Sequence, residues 1–395
     1  MDFKRYTRGD IEGKRVLLRC DFDVKTNEEG VVDQYHDLRL ERVIPIIHEL
    51  IEYQAKQIVM IGHLGRPKGK KDSSFSLNSV KDRLTELCSA EALSEPITLI
   101  DDITVEPRQY SNDMLVVLEN LRFWPGEREK DEKFALVLAK WGDVYVDNAF
   151  GNSHRDHASM TLLPEILPES FAGPELIQEV EKVETFMNSI RNPFVAILGG
   201  AKINTKAPLV KVLIKSADTI LLGGALANTV LQSRGIYVGF SLIEEDVLRE
   251  VKKLDDKKII LPVDAIIGDG SIRDINKIGE QESILDIGPD TIKNFVQHIS
   301  SAKTILLNGP MGKFEDDKFA RGTHEIAQAI GKNKAANTLA GGGETVEALE
   351  RLGLVEEFSA RGGPASGWDF VSTGGGAMLT FLAGEKMPGL EAVSL

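Results

Sequence analysis

Short apolar runs recur along this chain, and most of them stop abruptly. In the first half, residues 16–18, 58–61, 115–118 and 144–146 are unbroken valine, leucine, isoleucine, methionine or tyrosine. Each gives way to a polar or basic cluster: Asp21 with Asp23, His63 with Arg66, Arg122, and His154 with Arg155. Runs this short, without polar alternation, predict parallel strands buried on both faces. Between them the period changes to that of a helix. Within residues 40–55, Val43, Ile46, Ile47, Leu50 and Ile51 fall on one stripe, and residues 76–87 and 133–140 behave similarly.

The second half repeats the alternation, with strands predicted at 194–198, 219–222, 259–262, 304–307 and 337–340. Here glycine follows the strands: GGAK at 199–202, GGALAN at 223–228, NGPMG at 308–312, GGGET at 341–345 and STGGGA at 372–377. Strand ends on one rim of a parallel sheet are where α/β proteins gather ligand groups. Bare backbone lets phosphate oxygens reach N–H groups closely. A basic rim in one half and a glycine rim in the other point to one phosphorylated substrate held by each half. The fold class expected is α/β, with two Rossmann-like domains, each a parallel sheet flanked by helices.

A helix is expected between the halves, where Leu176, Val180, Val183, Met187 and Ile190 recur at helical spacing between Pro174 and Pro193. It reads as a hinge helix joining the two domains or as an ordinary surface helix of one of them. The domain bounds expected are 1–174 and 175–377. With 395 residues, two domains are the natural division.

Charge sharpens the picture more than composition does. A formal net charge of −14 argues against wholesale binding to nucleic acid or to a membrane surface, and it makes a local arginine cluster stand out against the average. Cys20 and Cys88 form neither a disulfide framework nor a zinc pattern. The N-terminal MDFKRYTRGD has no apolar signal-like stretch, so a cytoplasmic location is expected.

Several nucleotide-binding signatures are absent. There is no GxxxxGK[ST] and no GxGxxG after the first strand. His154, Arg155 and Asp156 spell the HRD of a protein-kinase loop, but Thr161 stands where that loop needs asparagine.

Eight motifs carry a resemblance: RCDFDV at 19–24, GHLGRP at 62–67, LENLRF at 118–123, DNAFGNSHRDHAS at 147–159, LGGAKINTK at 198–206, NGPMGKFE at 308–315, GGGET and STGGGA. Together, in this order, they resemble the phosphoglycerate kinase family, with details such as GGALAN and GGGAMLTFLAGEKMPGL closer to archaeal members. The resemblance implies reversible, magnesium-dependent phosphoryl transfer between 1,3-bisphosphoglycerate and ADP, giving 3-phosphoglycerate and ATP, as in glycolysis and gluconeogenesis. It further implies a monomer, a first domain holding the triose and a second holding Mg-ADP or Mg-ATP. A C-terminal segment, about 378–395, is expected to return to the first domain.

Carried over motif by motif, the triose site is Asp21, Phe22, Asp23, Arg39, His63, Leu64, Gly65, Arg66, Arg122 and Arg155. The nucleotide site is Lys206, Gly223, Gly224, Asn308, Pro310, Gly312, Glu315, Gly342, Gly343, Glu344 and Thr345, with Arg39, Lys202 and Gly375 as catalytic groups. The family's usual DFN is DFD here, and the aspartate of GGGDT is Glu344, the expected Mg2+ ligand directly or through water. These departures motivate one competitor, a weakened homologue retained as a nucleotide-binding regulator. A nicotinamide-dependent oxidoreductase is the other, disfavoured by the missing GxGxxG.

Overall fold

The computed structural model describes residues 1–27, 30–32, 37–200, 206–248, 257–354 and 368–395. The chain divides into two units, Met1–Glu181 with Lys386–Leu395, and Lys182–Glu385. The helix Pro174–Asn188 carries the chain from one to the other, so divisions at 174 and at 181 fall within the same element. Pro174 starts that helix, where its missing N–H costs nothing.

In the first unit six strands form one wholly parallel sheet: β1 (Arg15–Arg19), β2 (Gln57–Ile61), β3 (Ile97–Ile100), β4 (Leu115–Leu118), β5 (Val144–Asp147) and β6 (Ser170–Ala172). Their order is β3-β4-β2-β1-β5-β6. Every residue of β2, β4 and β5 is buried, which is why these strands read as continuous apolar runs. The helical stripe at 40–55 is interrupted, forming Asp37–Glu41 and Ile44–Glu52. Pro45 explains the break, because it has no N–H to donate to the carbonyl of Glu41.

Both chain ends lie in this unit. Phe3 bridges Ser394, Lys4 N donates to Val393 O at 3.3 Å, and Gly389 N donates to Ser153 O at 2.8 Å. The C-terminal return begins at Lys386 rather than near 378, since the helix Gly376–Leu382 packs on Ala207–Ser216 within the second unit.

The second unit holds another wholly parallel sheet: β7 (Phe194–Leu198), β8 (Thr219–Leu222), β9 (Ile259–Ile260), β13 (Thr304–Asn308), β14 (Asn337–Gly341) and β15 (Phe370–Ser372), ordered β15-β14-β13-β7-β8-β9. A three-stranded antiparallel sheet, β11-β10-β12, lies between β9 and β13 in sequence and was not expected: β10 (Asp264–Ile267), β11 (Ile272–Asp274) and β12 (Ile284–Ile287). Its strands are short and partly exposed, with Ile272 54% accessible, so they give no buried-strand pattern. Asp264 ties this sheet to the helix Pro289–Ser301 by accepting from Asp290 N at 3.0 Å and Thr291 N at 2.8 Å. Among the described residues no helix is long and apolar enough to cross a membrane.

Candidate active site

Strand order locates the ligand crevice in each unit. In the first, the chain winds from β1 toward β2 on one side and toward β5 on the other, so the switch lies between β1 and β5. In the second it lies between β7 and β13. Loops leaving the carboxyl ends of those strands frame a crevice where ligands bind in open α/β sheets.

In the first unit a buried cation sits at the end of β1. Arg19 is 1% exposed; its Nε lies 3.2 Å from Ser159 Oγ, its Nη2 lies 3.2 Å from His63 Nδ1, and its Nη1 donates to Cys20 O. Ser159 Oγ donates in turn to Glu127 Oε1 at 2.6 Å. Since arginine only donates, His63 Nδ1 accepts and its proton sits on Nε2, aimed at Asp23 Oδ2 3.6 Å away. Burial pushes His63 down to about 4, with Asp23 opposing and Arg122 and Arg19 adding to the fall, so the ring is neutral at neutral pH. Burial alone would raise Asp23, but the His63 ring 3.6 Å away, Arg39 and the N–H of Gly65 hold it below the usual carboxylate range. Gly65 N donates to Asp23 Oδ1 at 2.8 Å.

Arg39 reaches the same loop. Its Nη1 donates to Asp23 O at 2.7 Å and lies 3.4 Å from Asp21, which also faces Asn152 Nδ2 at 3.4 Å. Phe22 and Leu64 are buried beneath, and the Phe22 ring leaves no room for a Cβ at Gly62.

Arg122 closes the rim from the loop after β4. Asn120 caps its turn and donates to Leu64 O at 2.7 Å, and Arg122 Nη1 donates to Gly65 O at 2.7 Å. Arg122 Nε and His154 Nδ1 are buried without a hydrogen-bond partner. Burial first, then Arg19 and Arg155, push Arg122 down to about 10 against the pull of Asp23. Arg66 and Arg155 are exposed and repel one another, and neither makes an ion pair among the described residues. Uncompensated like charges beside an orphaned buried donor describe a site built for an anion.

The second unit replaces side chains with backbone. Gly199 N donates to Asn308 O at 2.9 Å, Gly200 N to Pro310 O at 2.8 Å, Gly224 N to Met311 O at 2.9 Å, and Leu226 N to Gly200 O at 3.2 Å. The loops after β7, β8 and β13 therefore touch backbone to backbone. Gly223 packs on Met311, whose sulfur would lie 2.6 Å from a Cβ there. Lys206 is buried and its Nζ donates to Gly199 O. A Cβ at Gly200 would lie 2.4 Å from Glu344 Oε2 and 2.9 Å from Lys206 Nζ, which places carboxylate and ammonium against the same spot. Thr345 Oγ1 accepts from Gly309 N at 2.7 Å, and Asn308 Nδ2 donates to Gly341 O at 2.6 Å while its Oδ1 is buried without a partner.

The other expected residues are less central. Gly342 and Gly343 begin the helix Gly343–Arg351 that carries Glu344, and Gly375 caps Gly376–Leu382 after the edge strand β15. Glu315 is exposed, Gly312 abuts Asp286, and Lys202 lies outside the described residues.

Asp286 supports this rim from β12. Its buried carboxylate accepts from Gly322 N at 2.7 Å and Ile287 N at 2.9 Å. Burial pushes it up from 3.8 to about 7 despite those N–H groups, and burial likewise pushes Asp147 up to about 6. Across those intervals the folded chain holds protons that the unfolded chain releases, so stability falls as pH rises through them. The melting temperature is expected to drop between about pH 4 and about pH 7, and Asp286→Asn to flatten the upper part of that drop. Parallel pH profiles for the two proteins would refute the assignment.

Comparison with known proteins settles the family. Residues 7–385 match the family model described as "Phosphoglycerate kinase". The chain belongs to the phosphoglycerate kinase family. A relative from Trichodesmium erythraeum, named phosphoglycerate kinase, is 37% identical, with 98% of this chain and 97% of that protein covered. Among solved structures, phosphoglycerate kinase from Coxiella burnetii is similar with a TM-score of 0.74 at 33% identity, and that from Pyrococcus horikoshii with 0.80 at 28%. Each comparison covers 97% of this chain and 96% of the other. The chain is accordingly a phosphotransferase with a carboxyl group as acceptor, and no comparison favours the regulator reading.

The arrangement at the end of β1 also includes residues that were not singled out from the sequence. Arg19, Asn152, Glu127 and Ser159 hold His63 and Asp21 in place. Arg19 carried a signal, a charge ending an apolar strand, whereas Glu127 and Asn152 carried none.

Proposed function

We propose that the first unit binds the triose and the second the nucleotide. Arg39, Arg66, Arg122, Arg155 and His63 receive the phosphate and carboxylate of 3-phosphoglycerate, Asp21 and Asp23 meet its hydroxyl and the arginines, and Phe22, Leu64 and Gly65 shape the floor. The observation carrying this reading is the cation-rich rim at the β1/β5 switch, with Arg122 Nε and His154 Nδ1 unpaired. Guanidinium forks match phosphate and carboxylate oxygens in pairs.

Gly223 and Gly224 flank the adenine of ADP or ATP, Asn308, Pro310, Gly312 and Glu315 approach ribose or phosphate, and Lys206 with Lys202 clamps the phosphates. Gly342, Gly343 and Thr345 hold the phosphate-facing loop, with Gly375 N–H near the group in transit. Among the described residues no cluster of three or more acidic, histidine or cysteine groups suits a metal. A single carboxylate, Glu344, fits Mg2+, which commonly takes one or two carboxylates and completes its shell with phosphates and water. Bound there, the ion would neutralise charge on the nucleotide phosphates.

A β-phosphate oxygen of ADP forms a bond to the phosphorus as the bond to the C1 carboxylate oxygen breaks, and the carboxylate leaves with that electron pair. Little covalent help is needed, so this chain's residues act by positioning and by neutralising charge. The reading supports a cytoplasmic monomer.

A coupled assay tests it, with turnover expected from 3-phosphoglycerate and ATP and lost when magnesium is chelated. Asp23→Asn, although it recreates the family's usual residue, is expected to raise KM for 3-phosphoglycerate about threefold to tenfold. Both Asp23 oxygens face donors, Gly65 N and His63 Nε2, and an amide can satisfy only one. An unchanged or lower KM would contradict this placement.

A further inference from the structure

Arg39 stands on a helix of five residues, Asp37–Glu41, too short to hold its own geometry. It is pinned at both ends. Arg83 of the helix Asn78–Ala90 binds Asp37, Nε to Oδ1 at 2.9 Å. At the other end Arg42, whose N–H still bonds Leu38 O, reaches across to the helix Pro174–Asn188. Arg42 Nη1 lies 2.6 Å from Glu175 Oε1 and 2.9 Å from Glu179 Oε1, and Glu179 is only 1% exposed. Glu175 is itself fixed, its N–H donating to Asn148 Oδ1 at 3.0 Å in the loop after β5.

We propose that Arg42 is a positioning residue for phosphoryl transfer: its ion pairs with Glu175 and Glu179 set the orientation of the short helix that aims Arg39 into the β1/β5 crevice. The proposal rests on the reading of Arg39 as a group that touches the substrate. Arg42 directly follows the helix, and its N–H closes onto Leu38 O at 3.2 Å, so a shift of Arg42 is transmitted to the turn that carries Arg39. Both carboxylates meet the same nitrogen, Nη1, from two turns of one helix, which fixes its place against that helix. The linkage also joins Arg39 to the element through which the chain passes from the first unit to the second.

Steady-state kinetics on the full chain, in wild-type and Arg39→Ala backgrounds, test this. Arg42→Ala is expected to lower kcat by about 10- to 100-fold in the wild-type background, as displacement by an ångström or so does. KM for ATP should stay within about twofold, and Arg42→Lys should recover part of the loss. In the Arg39→Ala background the same substitution should change kcat by less than about twofold, because the group it positions is already gone. An equal loss in both backgrounds would show a general structural role and overturn the proposal, as would wild-type kcat in folded Arg42→Ala protein. If Arg42→Ala does not fold, Glu175→Gln, which leaves the Glu179 contact, is carried through both backgrounds under the same criteria. Failure of the underlying reading looks different: Arg39→Ala alone would then leave kcat unchanged.

Discussion

Replacing Arg39 with alanine is expected to cut kcat by about 100- to 1,000-fold, the loss of about 2.7–4 kcal/mol that follows when one well-aimed donor is removed from a developing charge. The argument begins with its surroundings. Arg39 is held by Asp23 O at 2.7 Å and by Asp21 at 3.4 Å, both on the loop that leaves β1 at the crevice. Arg19 and Arg122 are instead committed to His63, Ser159, Cys20 and Gly65, so they shape the rim more than they can follow a moving group. The folding cost should be smaller, up to about 2 kcal/mol, because one charge-assisted hydrogen bond and a long ion pair are lost while Asn152 still faces Asp21. Arg39→Lys should fall between, keeping the charge but not the planar fork. Coupled-assay kinetics beside thermal melts decide the matter. Turnover within a few-fold of wild type, or a loss that tracks unfolding, would remove Arg39 from the catalytic role.

The parts of the fold legible in the sequence are those whose burial is uniform. Strands such as β2 and β4, enclosed on both faces, announce themselves as apolar runs, and the clusters after them mark the crevice because polar residues follow immediately. The antiparallel sheet was illegible because strands such as β11 are three residues long and partly exposed. Helix 40–55 was legible as a stripe but not as two pieces, since Pro45 breaks the hydrogen-bond ladder without disturbing the apolar period.

Side-chain partnerships were harder still. Arg42 meets carboxylates 133 and 137 residues away, and Asp286 meets Gly322 across 36. No local pattern encodes such pairs. The rim arginines stand out because they follow the strand ends, and Arg19 is marked only as a charge closing an apolar strand, with nothing local to show that it meets His63 and Ser159. The glycine motifs were legible for a related reason: where three loops touch backbone to backbone, only glycine leaves space, and the requirement is written at each position separately.

That requirement makes Gly199→Ala the second large effect. A Cβ there would lie 2.0 Å from Pro310 O and 2.7 Å from both Pro310 C and Met311 Cε, and two of those atoms are backbone. Relief requires the β7 and β13 loops to part. That movement breaks the Gly200 N to Pro310 O bond and draws Gly309 N away from Thr345 Oγ1, undoing the seat of Lys206 and Glu344 together. Overpacking of this kind costs about 1–3 kcal/mol or more. If most of it falls on the nucleotide loops, ADP affinity should drop by about 100-fold, equivalent to about 2.7 kcal/mol. Binding of 3-phosphoglycerate should persist, because the arginine rim belongs to the first unit. Gly235→Ala is the control. Gly235, unlike Gly199, has a left-handed backbone, φ +84°, but a Cβ there meets nothing within 4 Å, so it should cost about 1 kcal/mol of stability and leave ADP binding intact. Titration calorimetry with each ligand separates the cases. Equal loss of ADP affinity in both variants would mean that general destabilisation, not the closeness of the loops, governs the nucleotide site.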